Sequence, residues 1–338
     1  MSEAKPAKTK KRSFSKRLLG FAPARWLIQA WLWLAVQFMF SFGPAFAYFW
    51  ARRVGWLMWV LLGKQRYMAL RNVDLCLPEL SEVERTRVAR KSFDHVAYTF
   101  FDMLLIPRVM GGERWRTYVE IGPDVLAYHV WSREGRGPLT ISGHFGSWEI
   151  GAHVNSCHGM HQAALYRPPD LPMLDRWLRR MRACSNVDAI EKEGALRQLV
   201  RRAREKQPLL ALLDQYGGDN GFEAPFFGIP TRWQADLLQL LLRHGLKLCV
   251  SDTYRHGDKF KFTYRALAQR EFEPGTALQE VLRFYSDTLE KAIKERPEQY
   301  FWLHRRFKRR RDGGADRYEN LGERVSGARR LALIGDRA

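Results

Sequence analysis

Strand and helix signals alternate along most of this chain, and this alternation restricts the possible fold more than any other feature. Chains with this order place helices on both faces of a mostly parallel sheet. The sequence therefore predicts a three-layer α/β domain with a largely parallel, mixed sheet flanked by helices. Short apolar runs typical of strands lie at 139–142, 163–166, 209–213, 246–251 and 259–265. Amphipathic segments typical of helices lie at 171–183, 195–205, 235–243 and 277–294.

An earlier helix is indicated by a capping box. In Ser81-Glu82-Val83-Glu84, the Ser side chain and the Glu three residues later can each accept a hydrogen bond from the other's backbone N–H. The helix that begins here is predicted to bury one apolar stripe. Its members are Val83, Phe93, Val96, Ala97, Phe100, Phe101 and Leu104.

The N-terminal part of the chain has the pattern of a membrane anchor. No charged residue lies between Trp26 and Ala51, a run long enough to span a bilayer. The first 17 residues are strongly basic, but Arg52 and Arg53 make the far flank basic too, and Gly43-Pro44 interrupts the run. We expect a helical anchor that spans, re-enters or lies in the interface. A pair of core helices is the alternative interpretation.

These signals predict four segments: a basic tail at 1–25, the anchor at 26–63, one α/β domain at 64–312, and a basic, flexible tail at 313–338. The formal net charge of +20 calls for an anionic partner. Acidic phospholipid, an acidic carrier protein and nucleic acid all qualify, but the chain contains no recognised nucleic-acid-binding module. The four cysteines have no CxxC spacing, so neither a zinc site nor a disulfide framework is predicted.

His144 and Glu149 stand five positions apart, just after the apolar run at 139–142. Two helical residues at this spacing point about 140° apart, so His144 must lie on the turn and Glu149 in the first helical turns. A carboxylate bonded to one imidazole nitrogen makes the other a better base. We predict that His144 is a general base oriented by Glu149, beside helix-start N–H groups that could bind a phosphate or an oxyanion. A structural His and a solvated Glu are the alternative.

Other candidate residues follow predicted strand ends. Arg167 is a candidate clamp for a phosphate or carboxylate, and Asp214 with Gln215 is a candidate for binding a headgroup. An ordinary surface Arg and an Asp that caps the next loop are the alternatives. Ser147 does not lie in a G-x-S-x-G elbow, which disfavours a serine hydrolase. The histidines show no H-E-x-x-H or other ligand set, so no metal is predicted.

These residues belong to an ordered set of motifs. The stretch from His144 to Glu149 resembles the H-x4-D/E motif of lysophospholipid-type acyltransferases, in the form closest to the lipid A late acyltransferases of Gram-negative bacteria. The resemblance spans roughly residues 20 to 312. Four further blocks match in order: Leu165-Tyr166-Arg167-Pro168, Leu212-Leu213-Asp214-Gln215, the Pro225-Phe226-Phe227-Gly228 loop, and Trp302-Leu303-His304-Arg305-Arg306-Phe307-Lys308.

The resemblance implies an O-acyltransferase that needs no cofactor. His144 and Glu149 would be catalytic, and acyl carrier protein or acyl-CoA would supply the acyl group as a thioester. The acceptor would be a hydroxyl of an anionic glycolipid such as a lipid A precursor. The residues implied to bind substrate are Arg167, Asp214, Gln215, Phe226, Phe227, Gly228, His304 and Arg306, with Phe226 and Phe227 as walls of an acyl-chain pocket.

The same resemblance implies a bacterial inner-membrane protein with its catalytic domain on the cytoplasmic side. Two alternatives stay open. One is an acyltransferase for another membrane lipid, either a glycerophospholipid or an amino-acid lipid. The other is a non-catalytic protein that binds anionic lipid.

Overall fold

The structure is a computed structural model. The chain divides into two compact units at the boundary between residues 47 and 48. The residues described are 34, 37, 38, 41–135, 137–166, 168, 172–191, 195–308, 317 and 318, with only the backbone of Pro172, Met173 and Leu196.

From residue 43 onward, the helices that precede the sheet are α1 (Gly43–Leu61), α2 (Gly63–Cys76) and α3 (Glu82–Val109). The capping box is confirmed, because Ser81 N donates to Glu84 Oε2 at 2.9 Å and Glu84 N donates to Ser81 Oγ at 3.3 Å. A short 3₁₀ helix at Gly112–Thr117 follows α3.

The buried face of α3 differs from the predicted stripe. Val83 is 60% exposed and Phe100 is 48% exposed, whereas the polar residues His95, Thr99 and Asp102 are buried. These three residues are spaced i, i+4 and i+7 and therefore share one side of the helix. A search for apolar residues could not reveal these three buried positions, because their side chains are polar.

Strands and helices then alternate as predicted. The strands are β1 (Val119–Ile121), β2 (Leu139–Ser142), β3 (Gln162–Tyr166), β4 (Val187–Glu191), β5 (Leu209–Leu212), β6 (Phe222–Phe226), β7 (Ile229–Trp233), β8 (Leu246–Arg255) and β9 (Phe262–Phe272). The helices are α4 (Pro123–Arg133), α5 (Trp148–Cys157), α6 (Pro172–Ala183), α7 (Ala195–Arg204), α8 (Asp236–Leu242) and α9 (Leu278–Glu295), with a 3₁₀ turn at Pro297–Gln299.

Seven of the strands form one mixed sheet in the order β1-β9-β8-β2-β5-β3-β4. Every pairing is parallel except that of β8 with β9. Helices α3, α5 and α6 pack together, and so do α7, α8 and α9, which gives the sheet its helical layers. The predicted α/β architecture is therefore confirmed. Because β2 and β5 are parallel neighbours, the residues after each strand meet at the same edge.

The Phe-Phe-Gly loop is the turn of a separate hairpin, β6–β7. Phe226 pairs with Ile229, so Phe227 and Gly228 are the two turn residues, and both have positive φ (51° and 68°). A two-residue hairpin turn of this type requires positive φ at both positions, which favours Gly at the second. The positive φ required at the second turn position therefore explains why a glycine occupies position 228.

The predicted anchor is described only in part. Within the described residues, no helix is both long enough and apolar enough to cross a membrane. Helix α1 begins at Gly43, where the sequence predicted an interruption, and it contains Arg52 and Arg53. The residues 26–33, 35, 36, 39 and 40 lie outside the described part.

The predicted C-terminal tail contributes one residue to the core. Tyr318 is buried, its hydroxyl donates to Asn72 Oδ1 at 2.6 Å, and it accepts from Phe307 N at 2.9 Å. Packing therefore extends past residue 312, where the sequence predicted the domain to end. Apart from Arg317 and Tyr318, the residues 313–338 lie outside the described part.

The turn after β2 depends on a glycine. Gly146 has a φ of +58°, and a Cβ atom there would lie 2.0 Å from the carbonyl oxygen of Thr253. Gly257 has nearly the same φ, +57°, but no atom lies within 4 Å of the position its Cβ would take. An alanine at position 257 would meet only the energetic penalty of a positive φ, whereas an alanine at position 146 would meet that penalty and a steric clash.

We expect Gly146→Ala to destabilise the fold far more than Gly257→Ala. The second change should cost about 1 kcal/mol, the usual penalty for a side chain at positive φ. The first adds a clash with backbone and should cost more than about 3 kcal/mol. Thermal unfolding of both variants measures the difference, and equal losses would contradict this account of the turn.

Several histidines are buried in the neutral form. Burial lowers the pKa of His95, His129 and His153. His153 is held by Ser185 Oγ at Nδ1 and by the Met110 carbonyl at Nε2. Because the unfolded state has the higher pKa, about 6.5, it takes up protons first as the pH falls. The stability that these groups contribute is thus present above pH 6.5 and lost below it.

We therefore predict that the free energy of unfolding falls as the pH is lowered from about 7.5 to about 5.5, by up to about 1.4 kcal/mol per pH unit for each such histidine, and that the midpoint of thermal unfolding falls with it. His153→Gln keeps hydrogen-bonding capacity but cannot titrate, so its slope should be shallower. The buried Thr86 provides the control, because Thr86→Val perturbs the interior without removing a titratable group and should keep the wild-type slope. A wild-type slope in His153→Gln would contradict the prediction.

Candidate active site

His144 and Asp214 meet at the carboxyl edge of the sheet, two residues after the ends of β2 and β5. His144 Nδ1 lies 2.7 Å from Asp214 Oδ1, and the backbone N of His144 donates to Asp214 Oδ2 at 2.8 Å. Both oxygens of this carboxylate are thus used by one residue. Whenever the ring is neutral, this contact places the proton on Nδ1 and leaves Nε2 unprotonated.

Asp214 is ionised in spite of being buried. Burial alone would raise its pKa, but the charge and hydrogen bonds of His144, together with the charge of Arg306, lower the pKa below its ordinary value. A buried carboxylate that stays charged stabilises the imidazolium form of its partner. This arrangement suits a histidine that takes up a proton during a reaction.

The free nitrogen of His144 lies in a partly open aromatic pocket. The His144 side chain is 18% exposed, and its ring lies between those of Trp148 (5.0 Å between centroids) and Phe301 (5.9 Å). The side-chain nitrogen of Gln215 is 3.3 Å from Nε2, a long contact that a substrate hydroxyl could replace. Gln215 therefore lies beside Nε2 of His144, and its predicted role in binding substrate stays a prediction.

Glu149 does not contact His144 in this structure, in contrast to the predicted pairing. It lies in the first turn of α5 and binds Arg182 through two hydrogen bonds, at 2.5 Å to Nη2 and 3.2 Å to Nε. Such a two-pronged contact between guanidinium and carboxylate is strong and directional. The pair is nearly buried, with Glu149 6% and Arg182 13% exposed. The carboxylate that contacts the His144 ring is instead that of Asp214, which lies two residues after the end of β5, the strand next to β2.

Arg182 is the site residue that the sequence analysis missed. It lies near the end of α6, and its guanidinium carbon is 5.3 Å from the ring centroid of Tyr166, the last residue of β3. Arg182 therefore reaches the same sheet edge as His144. Its only sequence signal is its place in the basic last turn of α6, which does not distinguish it from Arg180. The partner Glu149 is too distant in sequence to give a local pattern.

The helix-start N–H groups are partly used by the fold. Gly146 N donates to the Gln299 carbonyl at 2.9 Å, and Ser147 N donates to the Thr253 carbonyl at 2.8 Å. Neither is therefore available as the oxyanion donor that the sequence predicted. Arg182 is the positively charged group that Glu149 holds beside this helix start.

The C-terminal block supports the Asp214–Gln215 loop from inside. His304 Nε2 accepts a hydrogen bond from Tyr216 N at 3.0 Å, and burial lowers the His304 pKa to about 4, so this ring is neutral. Arg306 is 3% exposed, donates to the carbonyl of Gln215, and stacks 4.1 Å over the ring of Trp233. An interior location is inconsistent with the predicted contact between Arg306 and a lipid headgroup.

The two phenylalanines of the hairpin have different environments. Phe226 is fully buried among Trp233, Tyr300 and Phe307, so it contributes to the core. Phe227 is half-buried against Trp302. Their predicted role as walls of an acyl-chain pocket stays a prediction, and Arg167 lies outside the described residues.

A small cavity lies between α5 and the sheet, bordered by Glu149 and Arg182. Its volume is about 40 Å³, and polar groups of Thr140, Gln162 and Tyr264 line part of it. This is room for a few water molecules and not for a fatty acyl chain. In the part of the chain that the structure describes, no cluster of three or more His, Cys, Asp or Glu has the geometry of a metal site.

Several known proteins are similar in sequence to this chain over most of its length. The chain is 28% identical to the lipid A biosynthesis lauroyltransferase of Escherichia coli (strain K12) over 302 residues, which is 87% of this chain and 94% of the relative. It is also 28% identical to that organism's lipid A biosynthesis palmitoleoyltransferase, over 85% of this chain and 91% of the relative. A lipid A biosynthesis acyltransferase of Haemophilus influenzae is 28% identical over 76% of this chain and 83% of the relative.

The family model for bacterial lipid A biosynthesis acyltransferases matches residues 12–309, which include every site residue described above. The matched region carries the His144 turn, the Glu149–Arg182 pair and the Asp214–Gln215 loop. The chain therefore belongs to the bacterial lipid A biosynthesis acyltransferase family.

Proposed function

We propose that this protein transfers a fatty acyl chain from an acyl thioester to a hydroxyl group of a lipid A precursor. The observation that carries the proposal is the geometry of His144, whose Nδ1 is fixed by a buried, ionised Asp214 while Nε2 faces a partly open site. The relatives named above are lauroyl, palmitoleoyl and other acyltransferases of lipid A biosynthesis, which supports the acceptor class.

In the proposed reaction, Nε2 of His144 removes the proton from the acceptor hydroxyl as its oxygen attacks the thioester carbonyl. A new C–O bond forms, and the carbonyl oxygen becomes negatively charged in the tetrahedral intermediate. The C–S bond then breaks, and the leaving sulfur takes the proton from the imidazolium. The charge of Asp214 stabilises that imidazolium while it exists, as in other carboxylate-oriented histidine bases.

We propose that Arg182 stabilises the charged oxygen of the intermediate. Its guanidinium is held at the sheet edge by both oxygens of Glu149, so little reorganisation is needed when charge develops. The Gly146 and Ser147 N–H groups are occupied by backbone carbonyls, so neither of these two can donate to this oxygen. In this proposal Glu149 acts catalytically through Arg182, and not by orienting His144 as the sequence suggested.

We further propose acyl carrier protein as the donor. Arg176 and Arg180 project from the exposed face of α6, the helix that carries Arg182. An acidic carrier would be drawn to these positive charges beside the site. Acyl-CoA presents the same thioester without the protein surface, so a comparison of the two donors at increasing salt tests this point. The carrier should be preferred at low salt and lose its advantage as salt rises.

We predict that His144→Ala lowers kcat by about 10²-fold or more, the usual contribution of a general base. Asp214→Asn should also lower kcat strongly, because the amide carries no charge to stabilise the imidazolium. Arg182→Lys keeps the positive charge but cannot form the two-pronged contact with Glu149, so it should lose turnover as well. The assay measures acyl transfer from a radiolabelled acyl carrier protein to a purified lipid A precursor.

The control is Arg283→Lys, because Arg283 is an exposed arginine of α9 that the proposal places neither at the site nor on the carrier-binding surface. It should retain wild-type kcat. The same variants expressed in a bacterial host, with membrane lipids analysed by mass spectrometry, identify the transferred chain by its mass. Normal turnover in His144→Ala would refute the assignment of His144 as the base. If the membrane lipids of hosts that express the wild-type protein, the His144→Ala variant and neither protein are all the same, the proposed acyl transfer would be refuted.

We propose that the enzyme works at the inner membrane, with α1 as part of its membrane-facing surface. The described part of α1 exposes Phe49, Trp50, Trp56 and Leu57, each by more than 40%. Arg52 and Arg53 lie on the same helix and are exposed, a combination that suits an anionic lipid surface. The predicted membrane association of residues 26–63 belongs to this proposal.

We expect the double variant Trp50→Asn/Leu57→Asn to bind anionic vesicles at least about tenfold more weakly, since each side chain contributes roughly 1.5–3 kcal/mol when buried. Vesicle sedimentation of the full chain measures the change. Leu126→Asn/Val130→Asn removes two aliphatic residues, each 64% exposed on α4, and should bind as wild type does. Equal losses in the two variants would show that α1 has no special role.

A further inference from the structure

The turn that carries His144 is held by contacts from three distant parts of the chain. Phe301 N donates to the His144 carbonyl, Gly146 N donates to the Gln299 carbonyl, and Ser147 N donates to the Thr253 carbonyl, all at 2.8–2.9 Å. The carbonyl of Gly146 accepts a hydrogen bond from Thr99 Oγ1 at 3.0 Å. Thr99 on α3 thus reaches this turn with its side chain.

Thr99 belongs to a polar stripe on the buried face of α3. Its hydroxyl is shared between the Gly146 carbonyl and the His95 carbonyl one turn earlier. His95 Nδ1 and the carboxylate of Asp102 both contact the guanidinium of Arg255, which is fully buried. Three polar residues at i, i+4 and i+7 in an otherwise apolar layer are costly unless each is bonded, and here each is.

Arg255 is connected to the His144 turn through hydrogen bonds with Gln299. The backbone N of Arg255 donates to Gln299 Oε1 and its carbonyl accepts from Gln299 Nε2, both at 2.8 Å. The backbone carbonyl of Gln299 in turn accepts from Gly146 N. Gly146 is therefore held at its N–H by the Arg255–Gln299 link and at its carbonyl by Thr99. Both routes begin on the same stripe of α3.

We propose that Thr99 is a positioning residue, which fixes the His144 turn so that Nε2 is aimed at the acceptor hydroxyl. This inference rests on the proposed acyl transfer. Loss of the Thr99 hydroxyl frees the Gly146 carbonyl, two residues from the base, without touching the Asp214 contact. The ring then samples more orientations, and the fraction of aligned encounters falls while substrate binding is preserved.

Thr99→Val is the decisive variant because valine has the same shape but no hydroxyl. We expect kcat to fall by about tenfold or more while KM changes by less than about twofold. Thr99→Ser restores the hydroxyl and should restore kcat. Thr86→Val is the matched control: Thr86 is also buried on α3, and its hydroxyl bonds only to the Glu82 carbonyl within the helix. It should retain wild-type kcat.

A second measurement does not depend on turnover. Nitrogen-15 NMR of the full-length, histidine-labelled protein reports the ring nitrogens of His144, identified by the signal that His144→Gln removes. Those shifts should change in Thr99→Val and stay unchanged in Thr86→Val. If Thr99→Val fails to fold, Thr99→Ala takes its place in both measurements.

The outcomes separate this proposal from the proposed function. Wild-type kcat and unchanged His144 shifts in folded Thr99→Val would overturn the positioning role. An equal loss of kcat in Thr99→Val and Thr86→Val would also overturn it, since that would reflect general destabilisation of α3. If the wild-type protein transfers no acyl group from any thioester, the proposed function fails, and the ring-nitrogen shifts alone decide whether Thr99 positions His144.

Discussion

The carboxylate of Asp214 is the group on which the site depends. One oxygen holds the imidazole of His144 and the other holds its backbone N–H, so a single side chain fixes both the turn and the ring. This is possible because β2 and β5 are parallel neighbours whose ends lie side by side. The charge of Asp214 is kept in the interior by His144 and by Arg306 behind it. The fold thus places a charged group directly beside the imidazole of His144.

The C-terminal block acts as the support for that charge. Arg306 reaches the loop at Gln215 from the interior, His304 bonds the next backbone N–H, and Asn72 on α2 bonds the carbonyls of Trp302 and His304. A run of basic residues in a family signature suggests contact with an anionic substrate. Here the buried members of the run stabilise the loop that presents Asp214 instead. Arg306 and His304 both form hydrogen bonds with the backbone of this loop.

The sequence predicted the sheet better than it predicted the contacts at the site. β2, β3, β5, β8 and β9 were found because they are apolar runs, whereas β4 carries Asp188 and Glu191 at the sheet edge. The hairpin β6–β7 was missed because Pro225 and Pro230 disfavour strands in sequence, although a two-stranded hairpin tolerates them. His144 and Asp214 were both named as candidates from the sequence, but their contact was not predicted, and neither was the contact of Glu149 with Arg182. Each contact joins residues many positions apart and depends on how the strands are ordered.

Tyr318 also has a consequence for where the protein can end. Its phenol lies in the core beyond the matched family region, between the side chain of Asn72 and the backbone of Phe307. Asn72 also donates hydrogen bonds to the carbonyls of Trp302 and His304, and the ring of His304 accepts one from Tyr216 N. The phenol of Tyr318 is therefore connected through Asn72 and His304 to the loop that contains Asp214 and Gln215. A boundary drawn by family resemblance alone would cut the chain before this tyrosine. Buried, hydrogen-bonded structure therefore continues several residues past the last recognisable motif.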